Sequence, residues 1–332
     1  MERVGAYLIP GANLRVGVEL AQRAEAWGYE SLWVTHGAGR DSFLVLSAYA
    51  QATRTIGLGN GVVPIYPRHP VALAQEALTL SEISGGRFRL GIGVSHRPSM
   101  GDALGLDMGD PIRVMREYVA VLQAALSGQV EHAGTRYRAT WKSALPRLPA
   151  PPSLLLAGLG SRMLELAGEI ADGAILWLCT PAYVQEVALP AIARGRAKSG
   201  KSLEEFEVVA AVPAALTDDV DATTALFKDE LTRYLMLPFY RAMLTASRFG
   251  EELSAFDRAR SAGAPLSRAV PDRLAAALGG IGDRDVVRAY VAAYRRAGVT
   301  LPAVRPIGVP EAPHYRSTLE GCAPRNAVGQ NF

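Results

Sequence analysis

Short apolar runs alternate along this chain with longer segments whose apolar residues recur every three or four positions. The first run, Arg3 to Ile9, stops at Pro10. Behind it Leu14, Val18, Leu20, Ala21, Ala24 and Trp27 recur at helical steps, with Asn13 placed to cap the helix and Gly28 to end it. Ser31 to Val34 reads as a second strand, Ser42 to Ala52 as a helix and Ile56 to Val63 as a third strand. Pro70 then opens a helix at its first position, where the missing N–H costs nothing, and Gly85-Gly86 stops it after Ile83. Arg87 to Gly93 is a fourth strand, followed by a Gly/Pro loop, a helix from Pro111 to Leu126, a small hairpin from Val130 to Tyr137 and a proline-rich connector from Leu145 to Pro152. Strands five to eight fall at Ser153 to Ala157, Gly173 to Leu176, Phe206 to Val212 and Leu301 to Arg305. Helices are expected from Ser161 to Gly168, Pro181 to Lys198 and Asp283 to Ala297. Residues 218–280 read as helical without a strand, and the tail from Pro306 to Phe332 as irregular.

Eight strands alternating with helices predict a parallel sheet of the α/β class. Count and length suit one (β/α)8 barrel, a TIM barrel, over residues 1–332, with a helical insertion at 218–280 after strand seven. A doubly wound open sheet is the alternative, but it usually has fewer strands. One strand breaks the pattern. In IGLGNGVVPIYPRHP, Ile56 to Pro70, the residues Ile56, Leu58, Val62 and Val63 suit a core strand while Gly57, Gly59, Asn60 and Gly61 weaken it. Pro64, Pro67 and Pro70 end it, with Arg68 and His69 between them.

Composition narrows the function classes. Of 332 residues, 49% are apolar and 20% charged, enough for a sizeable core, and the net charge of +3 gives no electrostatic footprint for nucleic acid or an anionic membrane. Cys179 and Cys322 have no metal-ligand or disulfide spacing, so both read as free thiols in a reducing compartment. The N-terminal apolar run is too short for a signal peptide, and no run reaches the ~18 apolar residues of a membrane span. A soluble cytoplasmic protein without a metal site is the expectation.

In a (β/α)8 barrel, chemistry sits where strands end. Here those ends carry Pro10 and Gly11, then Thr35 and His36, the Pro64 to His69 segment, Val94 to Arg97, Gly158 to Arg162, and Trp177 with Cys179. Three of the five histidines, His36, His69 and His96, fall on this face. A histidine there can move a proton near neutral pH or simply be hydrogen-bonded in place. The turn AGLGSRM opens straight into a helix, so its amides, Ser161 and Arg162 suit a phosphate, although a tight turn with nothing bound has the same sequence.

Four segments in order carry a resemblance: AEAWGYESLWVTH (24–36), IGLGNGVVPIYPRHPVALAQEALTL (56–80), SGGRFRLGIGVS (84–95) and LAGLGSRMLELAGEIADGAILWLCTP (156–181). Together they resemble the bacterial-luciferase-like superfamily of flavin- and deazaflavin-dependent oxidoreductases, across roughly residues 3 to 305. The last segment is most similar to the branch that uses coenzyme F420, whose members include methylenetetrahydromethanopterin reductases and sugar-phosphate dehydrogenases. The resemblance implies hydride transfer between F420 and a small organic substrate, with a homodimer common in the family. FMN-using monooxygenases, which need a reductase partner, share the barrel and stay open, as does a barrel that binds a ligand without turnover.

Carried over by position, the resemblance implies a non-prolyl cis peptide at Gly61–Val62, in a bulge with Val63 that backs the cofactor ring, and it makes the local glycines space for that ring. His36 matches a histidine that often donates a proton, with Thr35 where an aspartate is usual. His96 replaces an acid–base glutamate of the sugar-phosphate branch and is the second catalytic candidate. Val94 and Ser95 match backbone contacts to the cofactor. Gly158, Leu159, Gly160, Ser161, Arg162 and Met163 match its phosphate-binding turn and helix start. Tyr234, Met236, Phe239, Tyr240 and Met243 of the insertion could line a substrate pocket or a dimer face, or be ordinary packing residues.

Overall fold

The computed structural model describes residues 3–37 and 39–324. Twelve strands are found among them: β1 Gly5–Leu8, β2 Ser31–Val34, β3 Gly57–Asn60, β4 Val63–Pro64, β5 Phe88–Gly93, β6 Gln129–Ala133, β7 Arg138–Lys142, β8 Ser153–Ala157, β9 Gly173–Trp177, β10 Glu207–Leu216, β11 Gly280–Gly282 and β12 Leu301–Pro306. Parallel pairing runs β1–β2–β3–β5–β8–β9–β10–β12 and returns to β1, so the sheet closes as an eight-stave barrel. The open-sheet alternative is thereby excluded. β6 and β7 form the expected hairpin. Among the described residues, no helix is long and apolar enough to cross a membrane.

Both faces of each stave are buried, which is why the strands read as apolar runs without alternation. Ala6, Leu8, Leu32 and Val34 face the surrounding helices, whereas Tyr7, Trp33, Leu155, Ile175, Val209, Ala211, Leu301 and Ala303 fill the barrel interior. The helices follow their local signals. Asn13 caps Leu14–Ala26, Asp41 caps Ser42–Ala52, and Pro70 opens Pro70–Ile83.

Three expectations need correction. The third strand is not continuous from Ile56 to Val63. It stops at Asn60, crosses a cis Gly61–Val62 peptide and resumes as β4, which pairs with Ile92 and Gly93 of β5. The segment before β12 does include a strand, since β11 extends the sheet beside Ala214–Leu216. The tail is not irregular throughout. Pro313–Gly321 is a helix, fixed by Ile9 N–H donating to Tyr315 Oη at 2.9 Å and Leu216 N–H donating to Thr318 Oγ1 at 2.9 Å. Its apolar residues are few, so periodicity alone did not reveal it.

The glycines of the broken strand also need another explanation. A Cβ on Gly59 would lie 2.5 Å from the Trp33 ring, and one on Gly61 would lie 2.4 Å from Tyr7 Oη. Their missing side chains make room for Trp33 and Tyr7, two large side chains of the barrel interior. Across the pair, a Cβ on Gly91 would lie 2.0 Å from the Asn60 carbonyl oxygen.

Charged residues close the opposite end. Arg3 reaches Glu30 at 3.0 Å and Glu207 at 2.5 Å, and Arg89 pairs with Glu30 and approaches Glu207 at 3.7 Å. Burial pushes the Glu30 carboxyl up, but the hydrogen bond and charge of Arg89, with hydrogen bonds from Ser31 and Arg3, outweigh it and hold the pKa down to about 2.

Two predictions follow from this packing. Gly91→Ala forces a Cβ into backbone and should cost about 2 kcal/mol or more, whereas Gly250→Ala, where a Cβ meets nothing within 4 Å, should stay within about 0.5 kcal/mol; thermal midpoints compare them. The Glu30 carboxyl titrates lower in the folded chain than its ordinary 4.5, so its stabilisation is complete above that value and lost as pH falls toward about 2. Glu30→Gln should therefore lower the midpoint at neutral pH and flatten its fall in acid, as thermal scans across pH would show.

Candidate active site

The segments singled out in the sequence lie at the C-terminal ends of β2, β3/β4, β5 and β8, which are consecutive in the ring. Thr35, His36, Gly61 to Val63, Val94 to His96 and Gly158 to Met163 therefore form one arc of the mouth. Val62 sits over Gly93, where a Cβ would come within 2.8 Å of Val62 Cγ2. Ser95 has φ +56°, a left-handed conformation unusual for a residue with a side chain, at the point where β5 turns into its loop. Thr35 Oγ1 donates to Tyr7 Oη at 3.1 Å, so the residue in the aspartate position ties the mouth to the interior.

At the turn after β8, Gly160 precedes the helix Ser161–Ile170 without a side-chain cap. Its carbonyl accepts from the amides of Met163 and Leu164, while those of Ser161 and Arg162 have no acceptor among the described residues. A Cβ on Gly160 would meet open space, and Ser161 and Arg162 are exposed. This exposed helix start, with two amides lacking an acceptor and a serine and an arginine beside them, is a place an anionic group can approach. Leu159 contributes through its carbonyl, which accepts from Tyr183 Oη–H at 2.6 Å, and Met163 turns inward into the core.

His36 lies in a polar cluster. Ser42 N–H donates to its Nδ1 at 3.2 Å, and Ser42 Oγ is also 3.2 Å from that nitrogen. Asn60 Nδ2–H donates to Ser42 Oγ at 2.7 Å. Arg68 Nη1 is 3.5 Å from His36 Nε2, while Arg68 Nη2 donates to Asp41 at 2.7 Å and Arg68 Nε to Glu76 at 3.1 Å. Burial and then the Arg68 charge lower the His36 pKa, against the pull of Asp41.

His96 stands apart, with no hydrogen bond to His36 among the described residues. Its ring packs 5.6 Å from Tyr240, which lies 4.8 Å from Tyr234, itself 5.8 Å from Trp177. Burial and then Arg233 lower the His96 pKa. Glu230, Arg233 and Tyr234 share one face of the helix Val220–Leu235. Arg305 from β12 binds Glu230 through two contacts, 2.6 and 2.7 Å, and stacks on Trp177 at 5.3 Å. Of the insertion residues named from sequence, Tyr234 and Tyr240 join the mouth, Met243 is core, and Met236 and Phe239 are exposed. His69 is a helix cap, its Nδ1 accepting from Val71 N–H at 3.3 Å. Sequence reasoning missed Ser42, Asn60, Glu230 and Arg305 as site residues. The signal available for Arg68 was its place in the polar segment after the broken strand.

Comparison with known proteins agrees with this geometry. The family model described as luciferase-like monooxygenase matches residues 1–301. A 5,10-methylenetetrahydromethanopterin reductase from Methanolobus tindarius is 32% identical over 224 residues, covering 67% of this chain and 67% of the relative. The structure of a coenzyme F420-dependent tetrahydromethanopterin reductase from Methanopyrus kandleri superposes with a TM-score of 0.81 at 25% identity, covering 98% of each chain. A type II Baeyer–Villiger monooxygenase from Pseudomonas putida, in complex with FMN, shares the fold alone, with a TM-score of 0.71, 20% identity and 98% coverage of each chain. A (β/α)8 barrel with this mouth, matched by the family model over residues 1–301, belongs to the luciferase-like monooxygenase family.

Proposed function

We propose that this chain is an oxidoreductase that transfers a hydride between the deazaflavin coenzyme F420 and a small organic substrate. The observation that carries the reading is the continuous arc over β2, β3/β4, β5 and β8, ending in a helix start whose Ser161 and Arg162 amides lack an acceptor among the described residues. The similarity to the coenzyme F420-dependent tetrahydromethanopterin reductase supports the choice of cofactor.

The residues present fit such a group. Gly61, Val62 and Val63 would back its ring, Thr35, Val94 and Ser95 would border it, and Gly158 to Met163 would take its phosphate. When bound, the deazaflavin supplies a ring carbon that takes or gives a hydride. The chain supplies placement and exclusion of water. Trp177, Tyr234 and Tyr240 form the aromatic wall on which a substrate would rest, and His36 and His96 are the proposed proton-handling groups. Burial first, and then Arg68 and Arg233 respectively, lower both histidine pKa values, which favours the neutral imidazole in each.

Titrating the chain with F420 and with FMN side by side should give tighter binding of F420. Preference for FMN would overturn the assignment in favour of a monooxygenase served by a separate reductase. With bound F420 and a panel of small alcohols and imines, His36→Ala should slow the absorbance change of hydride transfer by about 100-fold while F420 affinity stays nearly constant. Unchanged turnover would remove His36 from the mechanism.

A further inference from the structure

We infer that Arg68 is a positioning residue for His36: held by two carboxylates, it keeps its guanidinium against one ring nitrogen while the Ser42 amide occupies the other. The inference rests on the proposed role of His36 for its meaning in turnover, but not for its test. A neutral imidazole has one lone pair and one N–H, whereas the imidazolium has two N–H groups and no acceptor. Ser42 N–H points at Nδ1 from 3.2 Å, and an Arg68 N–H group lies 3.5 Å from Nε2. Protonation would set Nδ1–H against the Ser42 N–H, with Ser42 Oγ at 3.2 Å as the nearby acceptor, and Nε2–H against the guanidinium, which offers no acceptor. Either neutral tautomer satisfies one donor, and the imidazolium satisfies neither.

Arg68 cannot easily swing away. Its Nη2 is held by Asp41 at 2.7 Å and its Nε by Glu76 at 3.1 Å, leaving Nη1 for the ring. Asp41 is itself fixed, because its other oxygen caps the helix Ser42–Ala52 by accepting from Phe43 N–H at 2.8 Å and Leu44 N–H at 3.2 Å. The charged groups facing His36 are thus Arg68, from the segment after β4, and Asp41, whose Oδ2 lies 3.9 Å from Nδ1. Glu76 lies behind Arg68. The neighbours Ser42 and Asn60 are neutral. Buried charge is cheapest when paired, and the guanidinium fork suits two carboxylates and a third contact where an ammonium would not. The lowered His36 pKa agrees in direction. Its sign means that the associated stabilisation is complete above the ordinary imidazole value of about 6.5 and is lost as pH falls below it.

The test is an NMR titration of the full chain, without cofactor, labelled in histidine, with the His36 signal assigned by its loss in His36→Gln. Wild-type His36 should titrate below the free imidazole value. In Arg68→Met, where Asp41 faces the ring unopposed, the midpoint should rise by about one pH unit. In Asp41→Asn, whose side-chain oxygen can still cap the helix, the midpoint should fall further. A midpoint unmoved in folded Arg68→Met would overturn the inference. Should Arg68→Met fail to fold, Arg68→Gln decides in its place: a raised midpoint supports the inference and an unmoved or lower one overturns it. Because no cofactor is present, failure of the F420 assignment leaves this result untouched.

Discussion

The mouth of this barrel depends on how closely β3 approaches β5. The Asn60 carbonyl occupies the space that a side chain at Gly91 would take, and two positions on Val62 occupies the space above Gly93. Glycine at both positions of β5 lets the broken strand lie down on its neighbour. Glycine at 59 and 61 of the broken strand accepts Trp33 and Tyr7 from β2 and β1. Large side chains on one pair of staves thus meet absent side chains on the next, which is how a small barrel interior is filled without voids. The position of Val62 at the mouth is a consequence of that fit.

Electrostatics divides the mouth into two unlike sides. Around His36 the contacts are polar and charged, with a guanidinium neutralised by two carboxylates. Around His96 they are aromatic, with Tyr240 and then Tyr234 and Trp177 in succession. Both histidines lose proton affinity, chiefly through burial and then through a nearby arginine, but the arginines come from different elements. Arg68 is locked by its carboxylates, whereas Arg233 lies exposed against the Tyr234 ring. A ligand between the two sides would meet oriented polar groups on one flank and apolar rings on the other.

The aromatic flank exists because the insertion is tied down. Arg305 leaves the barrel interior end of β12, binds Glu230 bidentately and covers Trp177. Arg305 is buried and Glu230 half-buried, so removing the carboxylate would leave a buried guanidinium unpaired. The pair sets the rotation of the helix Val220–Leu235, and with it the face that carries Arg233 and Tyr234.

By itself the sequence determined the alternation of strands and helices, most helix starts and the arc of strand ends. Those features are written in local chemistry: apolar runs, periodic faces, Asn13, Asp41 and Pro70 at helix starts, and prolines where strands end. Likewise, the irregularity of Ile56 to Pro70 was visible because glycine and proline act on their own backbone. What that irregularity is for was decided only in three dimensions, since Gly59 and Gly61 answer to Trp33 and Tyr7, side chains from other staves. The Pro313–Gly321 helix, the Arg305–Glu230 pair and the Arg68 contacts to His36 were settled the same way. Each joins residues 27 or more apart in sequence or depends on a surface that other elements build, and no local pattern encodes such a partner. The sequence singled out His36; the packing of separate segments around it decided its contacts, because the Ser42 amide and the Arg68 guanidinium reach its two nitrogens only once the barrel has closed.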